Sequence, residues 1–230
     1  MNKKIIPYLM VYATLLVVCC GLLASYPKAE LHLMLNAHHT PWADTVLKYY
    51  TLLAEWPLYV IGAVPLLFRR WRWSLYYGLS EGVAGLVIFG LKRLFSEDRP
   101  VVFFEQFRDV TLPLVDGVTM RHSNSFPSGH ASTFFIFCTF AALLLCQYYA
   151  RNRATLRPVL RSTVVQQASV LALLAVAAVG CYSRVYLSQH FLSDITVGSA
   201  IGVTVACVMF AVCPISDKNR GSTEKGNDND

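Results

Sequence analysis

Residues Ser183 to Asp194 read SRVYLSQHFLSD and join two long apolar runs, Val164–Tyr182 and Phe191–Cys213. An arginine, a histidine and an aspartate beside segments this apolar are costly and mark a functional region. With the residues after Gln189 in a helix, His190 and Asp194 are spaced i, i+4 and share a face. The carboxylate then holds one imidazole nitrogen and leaves the other free for chemistry.

Working outward, a bilayer crossing needs about 20 mainly apolar residues, and both flanking runs qualify. Four more precede them: about Ile5–Ser25, Leu52–Phe68, Ser74–Phe95 and Ser128–Ala150, of which Leu52–Phe68 is short. Ile5–Ser25 follows Asn2-Lys3-Lys4, but its apolar run exceeds the roughly 7 to 15 residues of a secretory h-region and reads as a span. The 230 residues are 55% hydrophobic and 15% charged, with a mean hydropathy of +0.44, values that argue against an ordinary soluble globule. The expected fold is all-α: a polytopic membrane protein with a six-transmembrane-helix bundle. Residues 1–215 form one integral-membrane domain, and 216–230 form a polar, disordered cytoplasmic tail.

The net charge of +6 comes from Lys and Arg scattered between apolar runs, without a basic block interleaved with aromatics, so no nucleic-acid partner is expected. The seven cysteines lie in or at the edges of apolar runs with no zinc or disulfide spacing, and read as small hydrophobes. Lys3 and Lys4, Arg69, Arg70 and Arg72, Arg151 to Arg161, and Lys218 to Lys225 alternate onto one side of the bundle. The positive-inside rule makes that side, and both termini, cytoplasmic. Oligomeric state is not legible.

Between the first two runs, residues 28–50 mix Leu31, Met34, Leu35, Trp42 and Val46 with polar residues, the pattern of an amphipathic segment on the outer interface. Its His32, His38 and His39 are irregularly spaced and lack a nearby carboxylate pair, so they read as surface histidines rather than a metal cluster. Gly78 with Gly82, and Gly198 with Gly202, have the small-residue spacing that allows close helix approach within the bundle. Glu81 lies inside the third run, where it needs either a polar partner or a polar cavity.

Three groups of polar residues, the opening stretch among them, fall at helix ends: Lys92 with Arg99-Pro100, Pro127 to His130, and Ser183-Arg184 with His190 and Asp194. Counting crossings places all three on the same, outer face, whichever way the protein is inserted. Ser125 is suited to cap a helix and Pro127 to open one. Ser128, Gly129 and His130 then present backbone N–H groups at a positive dipole end, an anion site. Lys92, Arg99 and Arg184 add fixed charge, the arginines in a geometry that matches phosphate oxygens. Two histidines beside such a site supply a nucleophile and a general acid for phosphoryl transfer.

Lys92-x6-Arg99-Pro100, Pro127-Ser128-Gly129-His130 and Ser183-Arg184-x5-His190-x3-Asp194 resemble the three signatures of the type 2 phosphatidic acid phosphatase (PAP2) superfamily, matching at every signature position. The resemblance runs from the third apolar run to the sixth. Members include membrane lipid phosphatases, which are six-helix bundles with no required metal, and soluble vanadium haloperoxidases. The resemblance implies that His190 attacks phosphorus, Asp194 orients it, and His130 protonates the leaving oxygen and later activates water. It also implies that Lys92, Arg99, Ser128, Gly129 and Arg184 hold the phosphoryl oxygens, with no cofactor or metal.

Arg108 and Arg121, on the 101–126 loop, are candidates to bind the substrate headgroup or cover the pocket; the loop reads equally as a structured connection. The expected function is metal-independent hydrolysis, in a bacterial inner membrane and on its outer face, of a cell-envelope lipid phosphate. Lipid A, undecaprenyl diphosphate and phosphatidylglycerol phosphate or phosphatidate stay open as substrates. The alternatives are a vanadate-dependent haloperoxidase-like enzyme and a non-catalytic binder or transporter of anionic lipids.

Overall fold

The structure, a computed structural model, describes residues 3–107 and 110–213. The expected tail, 216–230, and Arg108 lie outside the described residues. Within them the elements are all helical: α1 (Ile6–Ser25), α2 (Lys28–Leu35), α3 (Pro41–Thr51), α4 (Pro57–Phe95), α5 (Pro100–Phe104), α6 (Gly129–Arg151), α7 (Pro158–Arg161), α8 (Thr163–Tyr186) and α9 (Leu192–Val212), with short 3-10 turns before α1 and after α3.

Among these residues, five helical stretches are long and apolar enough to cross a membrane. The predicted spans Leu52–Phe68 and Ser74–Phe95 are the two limbs of α4, which breaks at Arg70 (φ −157°, ψ 77°). The limbs fold back on each other: Tyr77 Oη donates to Leu58 O at 3.0 Å and Ser74 Oγ to Ala63 O at 2.9 Å. In a straight helix Leu58 and Tyr77 would stand about 28 Å apart. The first limb, residues 57–69, is only about 20 Å long, short of the roughly 30 Å hydrocarbon layer, so length alone does not establish a sixth full crossing.

Helix α6 is the centre, packed against α9, α8 and α4. It is buried on nearly every side through Phe134, Phe135, Ile136, Cys138 and Phe140. Apolar burial between spans gains little where lipid is equally apolar, so close approach and interhelical hydrogen bonds carry the packing. A Cβ on Gly198 would overlap the Ser128 carbonyl oxygen, and one on Gly202 would lie 2.5 Å from Ser132 O. The missing side chains thus bring α9 against the α6 backbone. Tyr8 Oη pairs with Thr139 Oγ1 at 2.9 Å and Tyr12 Oη with Ser199 Oγ at 3.1 Å, tying α1 to both.

The outer surface is what a bilayer requires: Val17, Val18, Leu67, Phe68, Leu86, Phe89 and Leu94 all face outward. Gly78 and Gly82 are also on this surface, with no heavy atom within 4 Å of where a Cβ would stand. The expectation that they pack within the bundle is therefore incorrect. α4 turns that face away from α6, and of the two pairs it is Gly198/Gly202 that mediates packing.

Glu81 has both of the settings left open for it. Thr133 Oγ1 donates to its Oε2 at 3.2 Å, and the side chain lines a cavity.

The chain ends sort as the parity count requires. Lys4 Nζ donates to Gln166 Oε1 at 2.6 Å, and Trp73, just after Arg72, packs on Phe210 with ring centroids 4.6 Å apart. The N-terminus, the α4 break, the start of α8 and the end of α9 therefore share the basic end of the bundle. The end of α4, the start of α6, the end of α8 and the start of α9 share the other.

Candidate active site

At this second end the α8–α9 turn is short and tightly bonded. Gln189 N and His190 N both donate to Arg184 O, at 2.9 and 3.1 Å, and Ser188 takes a left-handed conformation (φ 50°). The expected i, i+4 pair forms: His190 Nδ1 lies 3.3 Å from Asp194 Oδ2. That oxygen also accepts from Ser125 Oγ at 2.5 Å and from Phe191 N at 3.0 Å, while Ser193 Oγ donates to Oδ1 at 3.0 Å. A carboxylate receiving this many donors is fixed in position and in its charged form. Arg99 Nη1, a donor only, faces His190 Nε2 at 3.4 Å. The network assigns the tautomer: Nδ1 carries the proton toward Asp194 and Nε2 presents its lone pair.

Burial of His190, with Arg184 and Arg99 beside it, pushes its pKa well below the ordinary histidine value, against the opposing pull of Asp194. The imidazole is neutral at neutral pH, the state in which a nitrogen nucleophile acts.

The predicted anion-binding residues gather around this pair. Arg99 donates through Nε to Ser123 O at 3.0 Å and through Nη1 to Gln189 O at 2.8 Å. Arg184 Nη1 donates to Thr51 Oγ1 at 2.9 Å and Nη2 reaches Gln189 Oε1 at 3.4 Å, while its buried Nε has no partner. Lys92 Nζ bonds Asn124 O and, at 3.3 Å, Ser125 O.

The Ser128 N–H, expected to face an anion, instead donates to Asp194 O at 3.0 Å, locking the first turn of α6 to the first turn of α9. Gly129 and His130 open α6 beyond it. Arg184, His130, Arg121, Gln189, Thr51 and Thr119 line a cavity of about 370 Å³. His190 and Arg99, nearly fully buried, sit behind that wall. Lys92, Arg99, Arg184 and the exposed Arg121 outnumber the acidic groups, the buried Asp194 and Glu55 on the cavity wall. Among the described residues no three His, Cys, Asp or Glu side chains gather as a metal-binding group.

Three local expectations are corrected. Ser128, not Ser125, is the N-cap of α6, accepting from Ala131 N at 3.4 Å; Ser125 is spent on Asp194. Pro127 is not in the first helical turn but precedes the cap, after a cis peptide bond with Phe126. His32 is not a surface histidine: it is 1% exposed and packs on Phe104 and Phe191, with ring centroids 5.6 and 5.1 Å away. Phe103 joins the same cluster at 5.3 Å from Phe191. The first part of the 101–126 loop therefore braces the turn behind His190, while residues 117–121 line the cavity.

A profile of the PAP2 superfamily matches residues 73–216. The chain belongs to the PAP2 superfamily. Among solved structures it is similar to LpxE of Aquifex aeolicus (20% identity, TM-score 0.60, covering 81% of this chain and 97% of that one). It is equally similar to the first transmembrane PAP2 type phosphatidylglycerolphosphate phosphatase from Bacillus subtilis (20% identity, TM-score 0.61, covering 88% and 94%). No curated protein matches the chain by sequence. At this identity the likeness is one of fold: the chain has the architecture of the membrane-embedded PAP2 proteins.

The PAP2 signatures contain positions without a fixed identity, and one of these hides a site residue. Gln189 lies inside Arg184-x5-His190 and uses its side-chain carbonyl and its backbone carbonyl to hold Arg184 and Arg99. Thr51, 133 residues from Arg184 in sequence, has no motif at all. Asn36 is likewise unmarked: its amide donates to Val185 O and Tyr186 O at 3.0 Å and to Ser188 Oγ at 2.7 Å, fastening the loop after α2 to the α8–α9 turn.

Proposed function

We propose that this protein is a lipid phosphatase that hydrolyses the phosphate monoester or diphosphate of a cell-envelope lipid through a phosphohistidine on His190. One observation carries the reading: a neutral histidine, oriented by a buried carboxylate, has its Nε2 lone pair facing Arg99 Nη1, and the neighbouring Arg184 holds a buried Nε without a partner. A buried unpaired guanidinium N–H costs free energy until an oxyanion accepts from it.

The phosphoryl group enters between Nε2 and the arginines and takes over their hydrogen bonds. The Nε2 lone pair attacks phosphorus while the bond to the leaving oxygen breaks, and His130 gives that oxygen its proton. Asp194 accepts the Nδ1 hydrogen bond as positive charge develops on the ring. Then His130, now a base, takes a proton from water; the water oxygen bonds phosphorus, the P–N bond breaks, and His190 returns to its starting state. Lys92, Arg99, Arg184, the Ser128 hydroxyl and the Gly129 N–H hold the three phosphoryl oxygens as their charge redistributes, the electrostatic contribution expected to be largest. These fixed cations supply the charge, so no metal is required.

Arg121, on the exposed rim of the cavity, contacts the headgroup. The basic loops at the opposite end support placing the site on the outer face of a bacterial inner membrane.

The test is phosphate release from a panel of lipid phosphates in detergent with a chelator present. Wild type should release phosphate, with His190→Ala and His130→Ala lowering kcat by at least about 10³-fold and 10²-fold. Undiminished release by His190→Ala refutes the nucleophile, and loss of wild-type release on chelation refutes metal independence.

A further inference from the structure

A second cavity, of about 270 Å³, adjoins the first, and His130 and Glu55 line both. Arg121, Arg184 and Gln189 belong only to the first, whereas Glu81, Tyr59, Thr133 and Ile88 belong only to the second. The phosphoryl group therefore occupies the first cavity. His130, which protonates the leaving oxygen, stands at the doorway, and the carbons attached to that oxygen extend into the second. Gly85, on the exposed face of α4, lines this second cavity and has open space where a Cβ would stand. The cavity thus reaches the lipid-facing surface, where a hydrocarbon tail can leave it.

An apolar wall would suffice for hydrocarbon alone, yet this cavity holds an ordered polar chain. Thr133 Oγ1 donates to Glu81 Oε2 at 3.2 Å, which leaves Tyr59 Oη, 3.0 Å away, to donate to Thr133. The chain ends at Glu81 Oε1, which is buried without a hydrogen bond, because the nearby Tyr77 Oη gives its proton to Leu58 O. Thr133 is one turn along α6 from His130, about 4.5 Å along the axis. That displacement suits a polar atom two or three bonds beyond the leaving oxygen.

We propose that Glu81 is a specificity-determining residue that accepts a hydrogen bond from a hydroxyl or amide N–H of the leaving alcohol. The enzyme then favours lipid phosphates built on a polar backbone, such as glycerol or an amino sugar, over polyprenyl phosphates, whose carbons next to the phosphate are pure hydrocarbon. The inference rests on the phosphatase reading and names its substrate class. Its physical basis is asymmetry: a polar-backbone lipid satisfies Oε1, while a polyprenyl chain buries that oxygen against hydrocarbon with no partner.

The experiment measures kcat/KM in detergent for lysophosphatidate, whose glycerol keeps a free hydroxyl, and for a polyprenyl monophosphate, two substrates with the same phosphate monoester, using wild type, Glu81→Leu, Glu81→Gln and Thr133→Val. The ratio of the two values does not depend on how much enzyme folds. In wild type it should exceed about tenfold in favour of lysophosphatidate, and in Glu81→Leu it should fall by about tenfold or more. Glu81→Gln, which keeps a hydrogen-bonding end, should hold the ratio within about threefold. Thr133→Val, which removes the donor to Oε2, should lower it by about threefold or more and carries the test if Glu81→Leu does not accumulate. An active wild type that prefers the polyprenyl substrate, or a ratio unmoved in Glu81→Leu and Thr133→Val, overturns this inference alone. A wild type releasing no more phosphate than His190→Ala overturns the phosphatase reading, and this inference with it.

Discussion

Replacing Asp194 by asparagine removes one charge and keeps the side chain's shape. In the proposed first step, positive charge appears on the His190 ring, whose Nδ1 lies 3.3 Å from Asp194 Oδ2. With an effective dielectric constant of about 20, two unit charges at that separation attract by about 5 kcal/mol, an upper bound of between three and four orders of magnitude in rate. Asparagine retains one oxygen to accept from His190, so the expected loss in kcat is about 10³-fold, with KM changing by less than about threefold. The Ser125 and Phe191 donors hold the side chain in place, so the variant should fold. The assay is single-turnover phosphate release in detergent, with thermal unfolding as the control for folding. A folded Asp194→Asn enzyme within tenfold of wild type would refute the claim that this carboxylate stabilises charge on His190.

Two further outcomes are expected. Valine at Gly198 would drive a side chain into the Ser128 carbonyl and part α9 from the first turn of α6. The overpacking should cost about 1–3 kcal/mol, and phosphate release should fall more than tenfold, because the Ser128 N to Asp194 O bond crosses the same contact; thermal unfolding and activity check the two effects separately. His32, buried and desolvated, has its pKa lowered to about 4. Between that value and the ordinary histidine value the unfolded chain binds the extra proton, so the stability owed to neutral His32 is complete above about pH 6.5 and drains as pH falls toward 4, by up to about 3 kcal/mol. Melting temperatures in detergent from pH 8 to 4.5 should drop for wild type and drop less for His32→Leu, and equal slopes would contradict this.

What the sequence disclosed follows from the range of the interactions involved. Spans are written locally, because a bilayer demands an uninterrupted apolar run, and α1, α6, α8 and α9 lie close to where those runs predict them. The His190–Asp194 pair was equally legible, being one helical turn apart. The sharp reversal at Arg70 was not, because two apolar limbs joined by a basic stretch read as two independent spans whether or not they share a helix. Contacts across long sequence separations were also hidden. Thr51 meets Arg184 and Asn36 meets Ser188 only because the amphipathic 28–50 segment folds onto the α8–α9 turn, and no periodicity announces such docking. The buried His32 misled for the same reason: its partners Phe104 and Phe191 lie 72 and 159 residues further on. Gly78 and Gly82 show the opposite error, a motif present without the neighbour that would use it.

The surplus of cations over carboxylates at the site has a consequence for the empty enzyme. Lys92, Arg99, Arg184 and Arg121 repel one another in a poorly hydrated space, so the resting site is loaded, and any tetrahedral oxyanion that enters releases that repulsion. Substrate and product are then rivals on nearly equal terms, since inorganic phosphate engages the same donors as the lipid's phosphoryl group. On the proposed reading, the advantage of the lipid comes from the half of the molecule that carries no charge, seated on the Glu81 side of His130. Turnover in a phosphate-rich compartment is therefore governed by how well that uncharged half is held.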